Sequence, residues 1–455
     1  MRLHHVLFAL ALLPGCPDRT IGSVVPVQGK VTTMDIPANP RRQADILFVI
    51  DNSGSMKEEQ DSLRANFSRF MDILKTLEGG MPDVHIGVAT SDMGTSATDG
   101  TSLASGAFGC TQHGDDGVMH GAPMVTGKFL VDNGHGNTNY SGTLEDAFSA
   151  MANVGTAGCG IEQHLGSMAR ALGNPANTGF LRPDAYLAVI VIGDEDDCSL
   201  AHDQLFTSST SPDAVNFMCT KDGIECDDTP NDMTTPGERT RCHPSDHSQY
   251  VETVDHYATF LKGQKTDPRD VIVAGIVGDT NPFAITTKNQ TSVLSPSCTY
   301  NGAGGTTQTA FPAIRTADFL EQFQLTARST ICGADLSAAL AQIGALLKAA
   351  IEDPCFENQL ADGDPSTPAL DPDCTVTDVR RIPNDADQEL AVIPSCTQSN
   401  NSIPCWSIVV DNDKCGYTHT DPHLKLVIDR GGIVPANDIH VKASCVTVDS
   451  GGTQF

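Results

Sequence analysis

Residues 185–192 read Ala-Tyr-Leu-Ala-Val-Ile-Val-Ile, eight residues of which seven are aliphatic. A strand with one wet face alternates apolar and polar side chains, and this run offers water neither face. It therefore belongs inside a sheet, with other elements packed above and below. It closes on Gly193-Asp194, so the chain leaves the core at a carboxylate. A second segment has the same construction. The apolar strand Ile46 to Ile50 ends at Asp51, and Asn52-Ser53-Gly54-Ser55 leads into a helical pattern beginning near Met56. One carboxylate and two hydroxyls thus share a tight loop at the carboxyl end of a central strand, where ligands bind in open α/β sheets. Oxygen donors suit a hard divalent cation such as Mg²⁺, which keeps part of its water shell and leaves a position for a partner's oxygen. Ser55-Met-Lys-Glu58 also reads as a capping box, a role that needs no metal. Capping accounts for Ser55 but not for Asp51 and Ser53 together.

The stretch Asp51-Asn-Ser53-Gly-Ser55, with its preceding strand, resembles the metal-ion-dependent adhesion site of von Willebrand factor type A domains, Asp-x-Ser-x-Ser. Such domains carry a second coordinating Asp at a corresponding strand end, usually in Thr-Asp-Gly. Here the segment is Gly193-Asp194-Glu195, and the resemblance gives Asp194 that position; Glu195, Asp196 and Asp197 stay unassigned. The third element of the family is a Thr before a helix of the Ala-Leu-x-x-Ala kind. The matching segment is Gly155-Thr-Ala-Gly-Cys-Gly-Ile-Glu-Gln-His-Leu165. Spacing from Leu165 puts the Thr position on Cys159. Thr156, three residues early, is the nearest hydroxyl and is chosen here, with Cys159 and Glu162 as alternatives. The resemblance covers roughly residues 45–350. It implies that Asp51, Ser53, Ser55, Thr156 and Asp194 hold Mg²⁺, or Mn²⁺ or Ca²⁺, and that an exposed carboxylate of a protein partner completes the shell. The layout, including Ile192-Gly-Asp-Glu-Asp-Asp-Cys198, also resembles the cysteine-rich type A lipoproteins of myxobacteria.

Apolar strand runs alternate with helical patterns up to about residue 351, among them a helix with Leu63, Phe67, Phe70, Met71 and Leu74 on one face. The expected fold class is α/β, a doubly wound and mostly parallel sheet of the type A or Rossmann-like kind. Gly-, Ser- and Cys-rich insertions interrupt it at 91–142, 195–248 and 279–312. Its expected span is 45–352. Beyond Asp353-Pro354 the pattern shifts to period two: Trp406, Ile408 and Val410; Leu424, Leu426 and Ile428; Ile439, Val441, Ala443 and Cys445. A small disulfide-braced β-rich domain is expected over 353–455.

Arg2 and the apolar run Val6 to Leu13 read as a secretory signal, too short to span a bilayer. Leu13-Pro-Gly-Cys16 resembles the bacterial lipobox, which implies a signal over 1–15, lipidation at Cys16 and a tether over 16–44. An ordinary secretory signal is the alternative. Setting Cys16 aside, fourteen cysteines remain, eight before residue 353 and six after it, so each part has an even number to pair. The spacings do not reveal the pairing. With 57 Asp and Glu against 28 Lys and Arg and a formal charge of −29, a nucleic-acid partner is excluded. Neither a Gly-x-Ser-x-Gly elbow nor a phosphate-cradling glycine loop is present. The sequence reading is a non-enzymatic, lipid-anchored adhesion protein of the cell envelope that docks an acidic ligand through a cation. The alternatives are an exported metal-dependent hydrolase and a structural envelope lipoprotein with a degenerate site.

Overall fold

The computed structural model describes residues 30–448, apart from 39–41, 78–79, 105, 108, 208–211, 229–232, 303–304, 353–354, 357, 364–365, 367–369, 384, 401, 416–417, 419 and 437. The expected signal and Cys16 lie outside the described residues. Strand β1 (Lys30–Pro37) comes first. β2 (Gln43–Ile50) leads into α1 (Lys57–Lys75), and β3 (Asp83–Thr90) into a long looped segment holding β4 (Leu130–Asp132). α2 (Leu144–Met151) and α3 (His164–Gly173) precede β5 (Tyr186–Gly193). Then come α4 (Pro212–Gly223), the short strands β6 (Ile224–Cys226), β7 (Gly237–Arg239) and β8 (Cys242–Pro244), α5 (Val254–Lys262) and β9 (Val271–Val277). Next are β10 (Phe283–Lys288), β11 (Thr291–Leu294), β12 (Cys298–Asn301), β13 (Thr307–Ala310), α6 (Ile314–Glu321), β14 (Leu325–Thr330) and α7 (Ser337–Glu352). The remainder holds β15 (Cys374–Arg380), β16 (Gln388–Ile393), β17 (Cys405–Val410), the short α8 (Asn412–Cys415), β18 (Leu424–Asp429) and β19 (Ile439–Thr447).

One six-stranded sheet runs in the order β14-β9-β5-β2-β3-β4. Its edge ladder β3–β4 is antiparallel and the other ladders are parallel, so the sheet is mixed. Period-two geometry sorts its side chains. Ile46, Phe48 and Ile50 face α1, α2 and α7, whereas Leu47 and Val49 face α3, α5 and α6. The aliphatic run divides likewise, with Ala188, Ile190 and Ile192 on one side and Leu187, Val189 and Val191 on the other. α1 buries Leu63, Phe67, Phe70, Met71 and Leu74, the stripe that its 3.6-residue spacing predicts. Phe67 stacks on Phe148 with ring centroids 3.6 Å apart, and Phe48 meets both.

The expected fold class, an α/β doubly wound parallel sheet, is corrected by these ladders. Strand makes up 32% and helix 23% of the described residues. The mixed sheet is one of six among the described residues, and the other five are antiparallel. The reason is connection length. Short returns make antiparallel ladders, whereas each parallel pair needs a crossover of a dozen residues or more. The segments expected as insertions at 195–248 and 279–312 fold back on themselves as β6–β8, β10–β11 and β12–β13, with β7 added beside β10. Two local readings also change. Leu325–Thr330, whose sequence Leu-Thr-Ala-Arg-Ser-Thr shows no apolar run, forms an edge strand that takes over the last two residues of the helix expected near 316–326. A strand expected at 125–131 is the short β4, one residue longer at its end.

The C-terminal part is antiparallel, with sheets β1-β19-β15-β16 and β17-β18 around Trp406, Leu424, Leu426, Val441 and Ala443. β1 is paired along its whole length, from Lys30 opposite Thr447 to Pro37 opposite His440. Residues expected to be a tether are therefore the edge of the C-terminal sheet. All fourteen described cysteines are joined, as Cys110–Cys159, Cys198–Cys219, Cys226–Cys242, Cys298–Cys332, Cys355–Cys415, Cys374–Cys445 and Cys396–Cys405. None crosses residue 353. Such disulfide density fits an extracellular or envelope protein. No helix among the described residues is long and apolar enough to cross a membrane.

Candidate functional site

Parallel pairing of β2 with β5 sets Ile50 opposite Ile192, so both strands end at the same edge. The Asp51 N–H donates to the Ile192 carbonyl at 2.9 Å. Asp51 is fully buried and Asp194 is 3% exposed. Asp51 Oδ1 accepts from the Ser53 N–H at 2.6 Å, while Asp51 Oδ2 and Asp194 Oδ1 have no hydrogen-bond partner. The Ser53 and Ser55 hydroxyls lie 3.0 Å apart, and Ser55 also meets the Asp194 carboxyl. The two carboxyls meet one another as well. Ser55 does not cap the helix. The N-cap of α1 is Met56, with no side-chain hydrogen bond, and Glu58 turns to Thr306 instead of closing a capping box. The hydroxyl that capping alone would have explained faces the carboxylates.

The loop before α3 packs on this edge. Gly158 N–H donates to the Asn52 carbonyl at 2.9 Å, and Gln60 Nε2 bridges the carbonyls of Asp51 (3.0 Å) and Gly155 (2.9 Å). A Cβ on Gly158 would stand 2.1 Å from Asn52 Oδ1, so the approach requires glycine. Of the three residues proposed for the third metal position, Thr156 is exposed, and Cys159 is bonded to Cys110. Glu162 is 3% exposed, its Oε1 has no partner, and the charges of Asp51, Asp194 and Glu195 act on it. The loop thus brings Glu162 beside the cluster and leaves Thr156 at the surface. The Cys110–Cys159 crosslink occupies the position that spacing assigned to the family's Thr.

His164 is the residue that sequence reasoning missed. It is buried at the start of α3, and neither ring nitrogen has a hydrogen-bond partner. Burial pushes its pKa down to about 4, so the imidazole is neutral. A Cβ at residue 193 would lie 2.4 Å from His164 Nε2 and 3.3 Å from Asp51 Cβ. This explains why glycine precedes Asp194 where type A domains usually carry Thr. The signal was Gly193 itself, a close-approach glycine at the end of an otherwise aliphatic strand.

Burial dominates the electrostatics. It raises the Asp51 pKa to about 7, against the lowering effect of the Ser53 N–H. Asp194 is raised well above the usual carboxylate range by burial, then by the charges of Asp51 and Glu195. Glu162 is raised by burial, then by Glu195 and Asp51. Glu195 is the strongest charge acting on Asp51 and on Glu162, and Asp51 the strongest acting on Asp194. The neighbouring acids differ. Asp196 accepts from the N–H groups of Arg315 (2.8 Å) and Thr316 (3.0 Å) in the first turns of α6. Asp197 accepts from the Leu165 N–H (2.9 Å) near the start of α3 and pairs with the buried Arg315 guanidinium at 3.0 Å. Each carboxylate sits at a helix N-terminus, where the backbone favours negative charge. Counting only His, Cys, Asp and Glu, no group of three or more stands ready for a metal ion among the described residues. The donor set is instead two carboxylates and two hydroxyls. Its chemistry suits a hard cation, and its two buried oxygens without partners are what such an ion would satisfy.

No family model and no curated protein matches the chain. Among solved structures it is similar to proximal thread matrix protein 1 from the mussel byssus, at 12% identity over 70% of this chain and 51% of that one, with a TM-score of 0.28. This chain thus spans about half the length of the mussel protein. It is also similar to the conserved hypothetical protein BatB from Bacteroides thetaiotaomicron (10% identity, 67% and 97% of the two chains, TM-score 0.27). A third is the three N-terminal domains of the type V pili tip protein Mfa5 from Porphyromonas gingivalis (12% identity, 91% and 67%, TM-score 0.24). At these scores the likenesses identify neither a shared fold nor a shared function.

Proposed function

We propose that this chain is an exported binding protein whose Asp51, Ser53, Ser55 and Asp194 hold a divalent cation, Mg²⁺ or else Mn²⁺ or Ca²⁺. A carboxylate on a protein partner docks on that cation. The observation that carries this reading is the pair of buried oxygens, Asp51 Oδ2 and Asp194 Oδ1, at one sheet edge with no hydrogen-bond partner. A buried carboxylate without a partner costs several kcal/mol, and two in contact repel. A bound cation removes both penalties and supplies a positive charge with an open coordination position. Ser53 and Ser55 contribute neutral oxygens, so the two carboxylates only balance a divalent ion and the incoming acid takes its open coordination position. Glu162 acts on the set as a neighbouring charge. The resemblance of the loop to type A adhesion sites supports the docking mode. The lipobox-like Leu13-Pro-Gly-Cys16 supports anchoring to the cell envelope through a lipid on Cys16.

Calorimetric titration of Mg²⁺ and Mn²⁺ into the full chain tests it. Heat is expected with the wild type and none with Asp51→Ala. A Glu-bearing peptide is then expected to bind the Mg²⁺ form and to be released by chelator. Absence of heat with both proteins would sink the metal reading.

A further inference from the structure

Beside the cation-binding edge lies a cavity of about 630 Å³ between the segment carrying α4 and the hairpin β10–β11. Its walls are apolar: Ile161, Phe217, Ile224, Val293, Leu294 and Phe311. One end is acidic. Glu162 and Glu195 both line it, and their carboxyls meet one another. Glu162 is 3% exposed and its Oε1 finds no hydrogen-bond donor in the protein. The other charges at the cavity are accounted for. Asp196 is held by the N–H groups of Arg315 and Thr316, Lys288 is exposed, and Arg315 is paired with Asp197 through Nη2, although its buried Nη1 finds no acceptor. What remains is an apolar chamber of the size that holds small ligands, with two touching carboxyls and a buried acceptor at one end.

We infer that this cavity binds a small amphipathic amine, its apolar body against Phe217, Leu294 and Phe311 and its ammonium on Glu162 and Glu195. An ammonium donates three hydrogen bonds and accepts none, which suits the Glu162 and Glu195 carboxyls as its acceptors. A carboxylate ligand would add a third like charge, and a neutral one would leave the acids facing each other. A bare metal ion would leave the apolar walls unused. The inference does not rest on the cation site, because the amine is held by Glu162 and Glu195 and not by Asp51 or Asp194.

The test uses the full chain in chelator, so its outcome is independent of metal binding. Phenethylamine, 2-phenylethanol and 3-phenylpropionate share a body and differ in charge. Calorimetry is expected to show the amine binding at least about tenfold more tightly than the alcohol, equivalent to roughly 1.4 kcal/mol, and no heat with the acid. Glu195→Gln, at a half-exposed position, is expected to remove the amine's advantage and leave the alcohol unchanged. Val293→Trp, which fills the chamber from a half-exposed wall, weakens both. Equal binding of amine and alcohol by the wild type overturns the inference, whatever the folding of the variants. So does amine binding that survives both Glu195→Gln and Val293→Trp.

Discussion

Asp51 shows how one residue links stability to function. Its Oδ1 receives the Ser53 N–H and its Oδ2 receives nothing, so burial raises its pKa to about 7. Asp51→Asn keeps the acceptor, removes the charge and adds a donor beside Asp194. In chelator at pH 8 this variant is expected to melt a few degrees above the wild type, a gain of roughly 1–2 kcal/mol from relieving a buried charge. Mg²⁺ then raises the melting temperature of the wild type and leaves the variant unmoved; scanning calorimetry reads both. Asp45 is the opposite case. It is fully buried at the foot of β2 and accepts from Arg182 N (2.6 Å) and Arg182 Nε (2.7 Å), with Lys265 Nζ 3.8 Å away. Asp45→Ala removes the buried counter-charge of Arg182 and Lys265, which keep Asp83 (2.7 Å) and the Arg182 carbonyl (2.6 Å) respectively, and should cost roughly 3 kcal/mol, seen as a lower denaturant midpoint; an unchanged midpoint would contradict the pairing. Both aspartates flank one apolar strand in the sequence, and nothing in their local context separates the paired one from the unpaired. Arg182 lies 137 residues from Asp45, so only folding reveals the partner.

Elements position the site, and two connections can be tested. The first is the Cys110–Cys159 bridge, 49 residues apart, which pins the loop carrying Glu162. The double Cys110→Ser, Cys159→Ser variant is expected to lose about 2–4 kcal/mol of stability. Its Mg²⁺ heat should weaken relative to a variant lacking Cys396–Cys405, which lies in the other part of the chain. Equal Mg²⁺ binding by the two variants would show that the loop does not need its tie. The second connection is β1 against β19. Asp35 on β1 meets His440 at 3.0 Å and Arg381 at 3.4 Å. Burial alone would raise the Asp35 pKa, but the His440 hydrogen bond and the Arg381 charge outweigh it and hold it below the usual 3.8. A carboxylate whose pKa is lower folded than unfolded stabilises the fold above the unfolded value, and that contribution fades as pH falls through the folded one. Unfolding midpoints at pH 7 and pH 3 are therefore expected to differ more in the wild type than in Asp35→Asn. The period-two runs that form β17, β18 and β19 were legible because burial on one face writes alternation into a strand. β1 and β14 were not, because edge strands carry polar sequences that local patterns assign to tether or helix.

At the scale of the whole molecule, a formal charge of −29 makes the folded chain repel itself. Salt is expected to stabilise it by screening, with a Debye length of about 10 Å at 0.1 M ionic strength. MgCl₂ at matched ionic strength should raise the melting temperature beyond NaCl in the wild type, and no further than NaCl in Asp194→Asn. An equal response of both proteins to both salts would reduce the magnesium effect to screening. The antiparallel majority of the six sheets belongs to this scale as well. Alternating strands and helices suggested one parallel sheet, but hairpin ladders arise between segments that the sequence shows only as glycine- and cysteine-rich stretches. Sequence alone determined which runs must be buried on two faces, which strand ends carry acids, that the cysteines on each side of residue 353 are even in number once Cys16 is set aside, and the Asp-x-Ser-x-Ser spacing. Those features follow from covalent order and from the transfer of apolar side chains out of water, both of which are local. Tertiary structure decided that Asp51 and Asp194 share an edge without a counter-charge, that Glu162 is buried beside them while Thr156 is exposed, that His164 fills the space left by Gly193, and that β1 closes a sheet with β19. Each of these is a contact between residues distant in the chain, fixed by strand register and by which buried groups find partners, and no short window of sequence contains both halves of it.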